Sequence, residues 1–154
     1  MKKILFVCTQ NVTRSMSAHY LMQKYLDENG IDGYEIDSAG THACCRESSY
    51  SQVLDALYEL GVDARNHVQK RLDEDLVNSS DLIIASSKHH QEFIRENFNV
   101  ESYLFNEIAY GRDTDLQDDV EADFTSLDDF LRQLVRCIND AIPHIVENME
   151  DYMD

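Results

Sequence analysis

The sequence predicts a single-domain three-layer α/β/α fold built on a four-stranded parallel sheet. Three observations carry the α/β class. Short apolar runs alternate along the chain with segments whose apolar residues recur every three or four positions, the pattern of strands alternating with helices. One run, Leu82-Ile83-Ile84-Ala85, is apolar without interruption, as in a strand covered on both faces. Gly and Pro are scarce, at five and one, and there is no repeat or linker-like stretch. At 154 residues the chain suffices for one domain with a proper core and is too short for two.

The first strand is expected at Ile4-Leu5-Phe6-Val7. Ala18, Leu21, Met22, Tyr25 and Leu26 then form one helical stripe, which Asn29-Gly30 ends with residues that accept positive φ. A second strand reads from Tyr34 to Ser38. Val53, Ala56, Leu57 and Leu60 make a second helix, stopped by Gly61. After the Leu82 strand come a helix from about Lys88 to Asn97 and a short strand at Ser102-Tyr103-Leu104-Phe105. A long last helix puts Leu127, Phe130, Leu131, Leu134, Val135 and Ile138 on one face, and Pro143 is expected to end or kink it. From about residue 143 an acidic C-terminal end is expected.

The formal charge of −17 is unusual. It argues against nucleic acid and against an anionic membrane surface as partners. It also repels anions at long range, so any positive focus must be local. From Glu101 onward there are fifteen Asp/Glu against three Arg, read as a solvated face ahead of a partner surface. Met1-Lys2-Lys3 before an apolar run is too short for a signal peptide, and no stretch approaches a membrane span. Cysteines at 8, 44, 45 and 137 form neither a disulfide framework nor a zinc set, which suits a reducing, cytoplasmic setting.

Chemistry concentrates in Cys8-Thr9-Gln10-Asn11-Val12-Thr13-Arg14-Ser15, between the first strand and the first helix. Such a loop can turn successive N–H groups toward one point, and the helix N-terminus adds its own. Arg14 supplies a planar fork for two phosphate oxygens. Cys8 then lies under the bound anion as a nucleophile. Inorganic phosphate, sulfate or vanadate would fit the loop, which calls for no metal and no cofactor.

With these residues in view, the loop resembles the signature of the low-molecular-weight protein tyrosine phosphatases, which share their scaffold with thioredoxin-coupled arsenate reductases. Ser38-Ala39-Gly40-Thr41, His67 with Arg71-Leu72, and Ser80-Asp81-Leu82-Ile83-Ile84 extend the resemblance from Lys2 to about Asp123. It implies strand order 2-1-3-4. It implies that Asn11, in a left-handed turn, is held by Ser15, Ser38 and His67, and that the Ser15 hydroxyl helps Cys8 leave a phosphoenzyme. Ser15 can also be the helix N-cap. His67 is read as structural ahead of a free general base.

The resemblance also implies an aspartate acid, followed by proline, shortly before the last helix. Here the region reads Asp118-Asp119-Val120-Glu121-Ala122-Asp123-Phe124, with no Asp-Pro. Counting back from the last helix places the acid at Asp118 or Asp119, whereas an aromatic soon after it favours Asp123. Asp119 is preferred, because Val120 can replace the proline's bulk. Other departures bear on substrate: Gln10 replaces a glycine, Thr13 a second loop cysteine, and His42-Ala43-Cys44-Cys45-Arg46 lacks the usual aromatic. An aromatic-walled slot is therefore not expected from this chain.

The expected activity is a phosphomonoester hydrolase acting through cysteinyl-phosphate, with phosphorylated protein (phosphotyrosine above all) or a small aryl phosphate as substrate. Arsenate reduction would need two further cysteines near residues 81–90, where there are none. A non-catalytic oxyanion-binding module is the alternative from outside enzymology; it would need Arg14 but not Cys8.

Overall fold

The computed structural model describes residues 1–44, 49–119 and 126–153. Four parallel strands, β1 (Lys2–Cys8), β2 (Tyr34–Gly40), β3 (Leu82–Ala85) and β4 (Tyr103–Leu104), lie in the order β2-β1-β3-β4. The helices are α1 (Arg14–Glu28), α2 (Ser51–Glu59), α3 (Glu74–Ser79), α4 (Lys88–Phe98), α5 (Phe105–Tyr110) and α6 (Leu127–Asn148). Short 3-10 turns at Leu116–Asp119 and Met149–Tyr152 complete the described elements.

Side-chain alternation along β1 decides the layering. Ile4 and Phe6 join a core with Met16, Leu21, Leu57, Ile108, Leu134, Val135 and Ile138, which packs α1, α2, α5 and α6 on one face. Leu5 and Val7 face the other way, with Ala39, Leu72, Val77, Ile83 and Ile94, under α3 and α4. Each such side chain, fully buried, contributes about 1.5–3 kcal/mol. β1 lies between β2 and β3, with Ile4 paired to both Ile36 and Leu82. Its C-terminal residue, Cys8, therefore emerges at the point where the strand order reverses, the place where ligands bind in open parallel sheets.

The structure refines three readings. Of the two outcomes expected at Pro143, the helix does not end there: α6 continues to Asn148. Burial of Ala141, Ile142 and Ile145 on both sides of the proline outweighs one lost backbone hydrogen bond. β4 is two residues long, and Phe105, read as strand, opens α5. The six-residue helices α3 and α5 were not anticipated, being too short to display a periodicity.

Candidate active site

Cys8 ends β1 buried, and the chain turns at once through Asn11 at φ 62°. The left-handed residue of the loop is thus Asn11, not residue 10, which is why Gln10 can stand where a glycine was expected. Gly40 has a stricter requirement. A Cβ there would strike the Thr9 carbonyl oxygen and lie 2.9 Å from the Asn11 nitrogen, so the loop can pass β2 only over a glycine. Thr41 N and His42 N donate to the Cys8 and Thr9 carbonyls at 2.8 and 2.9 Å. Gly40 also pairs with the segment around Lys70 and Leu72, which brings residues 67–72 alongside the loop.

The hydrogens around the sulfur can be assigned in order. Lys70 N–H can only donate, so Asn11 Oδ1 faces it at 3.0 Å. Asn11 Nδ2 is thereby turned to Ser15 Oγ at 2.9 Å. Ser15 Oγ accepts there and lies 2.9 Å from Cys8 Sγ; its hydrogen is the donor of that contact when the sulfur is a thiolate. Asn11 N–H reaches the same sulfur at 3.3 Å. His67 Nε2 donates to the Asn11 carbonyl at 2.8 Å, and its Nδ1 accepts from Tyr20 Oη at 3.1 Å. Burial lowers the pKa of His67 against the favourable Asn11 carbonyl, consistent with this neutral ring.

Ser38 is placed differently from what the resemblance implied. Its hydroxyl lies 2.9 Å from His19 Nδ1, and the main-chain N–H of Lys70 holds Asn11 where Ser38 was expected. Burial depresses His19 to about 4. Thr13 precedes α1 without capping it through its side chain, so Ser15 serves the sulfur and not the helix end.

Arg14 opens α1 and extends across the loop mouth. Its Nη1 donates to Gln117 Oε1 at 2.7 Å and its Nη2 to Thr9 Oγ1 at 3.4 Å. Cys8, Thr9, Gln10, Val12, Thr13 and Arg14 line one side of a cavity of about 450 Å³. Tyr50, Gln117, Leu127, Phe130, Leu131 and Leu134 line the other. That second wall went unseen in the sequence, where an aromatic was sought just after Gly40 and the α6 stripe was read only as one apolar face. Tyr50 and Leu127 are half exposed, at 50% and 54%. An ion pair at 3.1 Å between Arg132 and Glu59 ties α6 to α2 and so holds this wall together.

Asp118 and Asp119 lie in the turn that begins at Leu116, directly after Gln117; nothing is described of their side chains. Asp123 and Cys45 lie outside the described residues. Among the described residues, no group of three or more His, Cys, Asp or Glu could hold a metal ion. Among those residues, too, no helix is long and apolar enough to cross a membrane.

A protein-arginine-phosphatase of Bacillus subtilis (strain 168) is 34% identical over 95 residues, 62% of this chain and 62% of that relative's own length. The low molecular weight protein-tyrosine-phosphatase Ptp of Acinetobacter johnsonii is 24% identical over 144 residues, 94% of this chain and 98% of that one. The crystal structure of a YwlE mutant from Bacillus subtilis shares the fold, with a TM-score of 0.85 at 24% identity, covering 97% of this chain and 99% of that one. The sequence profile of the low molecular weight phosphotyrosine protein phosphatases matches residues 3–151, and the chain belongs to that family.

Proposed function

We propose that this protein hydrolyses phosphomonoesters through a cysteinyl-phosphate intermediate, with protein phosphotyrosine as its substrate class and the cytoplasm as its setting. The supporting observation is the ordered set of donors at Cys8. Ser15 O–H and Asn11 N–H both point at the sulfur, and Arg14 reaches over the same loop. In the first step the Cys8 thiolate attacks phosphorus, and the bond to the leaving oxygen breaks as that oxygen takes a proton from Asp119. In the second, Asp119 takes a proton from water, the water oxygen attacks phosphorus, and orthophosphate departs as the S–P bond breaks. The hydrogen bonds from Ser15 and Asn11 stabilise the departing thiolate, and Arg14 the charge on the equatorial oxygens.

The aromatic and aliphatic wall supports an aryl leaving group: Tyr50 and Phe130 flank the cavity, and the lining residues described include no carboxylate. The relative named protein-arginine-phosphatase favours a second reading, N-phosphorylated arginine. Turnover of para-nitrophenyl phosphate by wild type and by Cys8→Ser tests the chemistry. The variant is expected to lose turnover and keep vanadate binding; activity within about tenfold of wild type would remove Cys8 as nucleophile. Paired phosphotyrosine and phosphoarginine peptides then separate the two substrates.

A further inference from the structure

Thr9, the residue after the nucleophile, connects the loop to a buried histidine that the chemistry above does not use. Thr9 Oγ1 is 2.9 Å from His90 Nε2, and His90 Nδ1 is 2.7 Å from Ser87 Oγ. Both His90 and Ser87 are fully buried. A guanidinium only donates, so Thr9 Oγ1 accepts from Arg14 Nη2 and keeps its own hydrogen for one further partner; the tautomer taken for His90 is the one in which Nε2 accepts that hydrogen. Nε2 is then the bare nitrogen, and the ring's hydrogen sits on Nδ1, donated to Ser87 Oγ. Ser87 in turn has its hydrogen free for His89 Nδ1, 2.9 Å away.

We infer that His90 is a positioning residue for Arg14, acting through the Thr9 hydroxyl. By drawing the Thr9 hydrogen toward itself, the ring leaves the Thr9 lone pairs facing the guanidinium. The other end of that group meets Gln117 at the exposed mouth, so the part-buried Thr9 contact is the one less open to competition from water. Burial and the nearby Arg14 hold His90 at about 3, so the ring adds no like charge beside the arginine. The inference rests on the reading of Arg14 as the phosphate-holding group. The alternative is that His90 merely packs the first turn of α4 against the sheet.

Single substitutions separate these accounts, because each ring nitrogen has an amide mimic. His90→Asn retains a donor for Ser87 and cannot reach Thr9, whereas His90→Gln extends an acceptor toward Thr9. Thr9→Val removes the hydroxyl at constant shape, and Thr9→Ser restores it. The measurements are kcat/KM on para-nitrophenyl phosphate, the inhibition constant of orthophosphate, direct orthophosphate binding by calorimetry, and Tm. His90→Asn and Thr9→Val are each expected to lower kcat/KM about tenfold and to weaken orthophosphate severalfold, and their combination to be little worse than either. His90→Gln and Thr9→Ser are expected to stay within about threefold of wild type. Thr9→Val at wild-type values, or a combined loss near the product of the single ones, would overturn the inference. Should wild type bind orthophosphate without turnover, the hydrolase reading fails, and the same variants still test His90 through orthophosphate affinity.

Discussion

The two walls of the cavity are built from opposite materials. The inner wall, Cys8 to Ser15 backed by residues 67–72 and His90, is polar and knit by hydrogen bonds around the buried Cys8, Asn11, Ser15 and His90. The outer wall, Tyr50 with the first turns of α6, is apolar and runs from the half-exposed Tyr50 and Leu127 to the buried Leu131 and Leu134, and its one polar contribution to Arg14 comes from the exposed Gln117. A network hydrogen-bonded around buried groups admits few arrangements, because a rotated group leaves an unsatisfied partner costing about 1–3 kcal/mol. An apolar, solvent-facing wall tolerates several shapes at similar energy. Inner-wall changes should therefore alter the rate for every substrate, and outer-wall changes should alter the choice among substrates.

The largest expected effect belongs to the proposed acid. Asp119→Asn should slow hydrolysis of phenyl phosphate by about 10²–10⁴-fold and that of a good leaving group such as para-nitrophenol far less. Rates across a series of aryl phosphates test this. If Asp118→Asn or Asp123→Asn shows the split instead, the acid is displaced by that offset; if none does, the binding-module reading gains. Next comes the inner wall proper. Arg14→Lys replaces a fork by a point charge and should cost about 2–4 kcal/mol in transition-state stabilisation, for good and poor leaving groups alike. A kcat/KM near wild type would take Arg14 out of the site.

The sequence exposed the inner wall far better than the outer. Cys8, Asn11, Arg14, Ser15 and Gly40 sit close together in the chain or carry distinctive chemistry, and the structure gathers them at the end of β1. Ser38 was misplaced because a side chain was expected where the Lys70 main chain does the holding, and main-chain donors leave no trace in a residue pattern. Leu127 and Phe130 were read only as part of one helix face, because periodicity reports a shared face and not what that face covers. The stripe of α6 runs past the sheet, and its first residues meet the cavity. Tyr50 and His90 gave no periodic signal at all. The doublet His89-His90, just beyond the Leu82–Ala85 run, was the one available hint.

Acid should loosen the inner wall selectively. His19 and His90 are held by burial at about 4 and about 3, whereas in the unfolded chain they take a proton near the ordinary value of 6.5. Between those values the unfolded chain binds protons that the fold refuses, so stability is complete above about pH 7 and falls as pH drops through that window. Asp37 acts in the same direction at the acid end. Burial alone would raise its carboxyl, but Lys70 and the Ser38 N–H outweigh this and hold it low. His90 alone should contribute about 2 kcal/mol of loss between about pH 7.5 and 5. Urea melts at the two pH values measure it. Equal stability at both would mean that the buried rings take up a proton in the fold as readily as in the unfolded chain.

The smallest effect belongs to the outer wall and bears most directly on what the enzyme selects. Tyr50 and Phe130 stand at the start of α2 and on α6, away from the sulfur and its donors. Removing either ring should therefore leave the transferred phosphoryl group where it was. Partial exposure reduces what each ring can contribute to about 1 kcal/mol of contact with an aryl group. Tyr50→Ala and Phe130→Ala should accordingly raise KM for a phosphotyrosine peptide about 3–10-fold with kcat nearly constant. Hydrolysis of a small alkyl phosphate, which has no ring to lay against the wall, should hardly change. Substitution with Leu should recover part of the loss, since the wall is read as apolar area more than as a specific stacking partner. If kcat falls instead and falls equally for alkyl and aryl substrates, these side chains support the loop rather than the leaving group, and the division between the two walls fails.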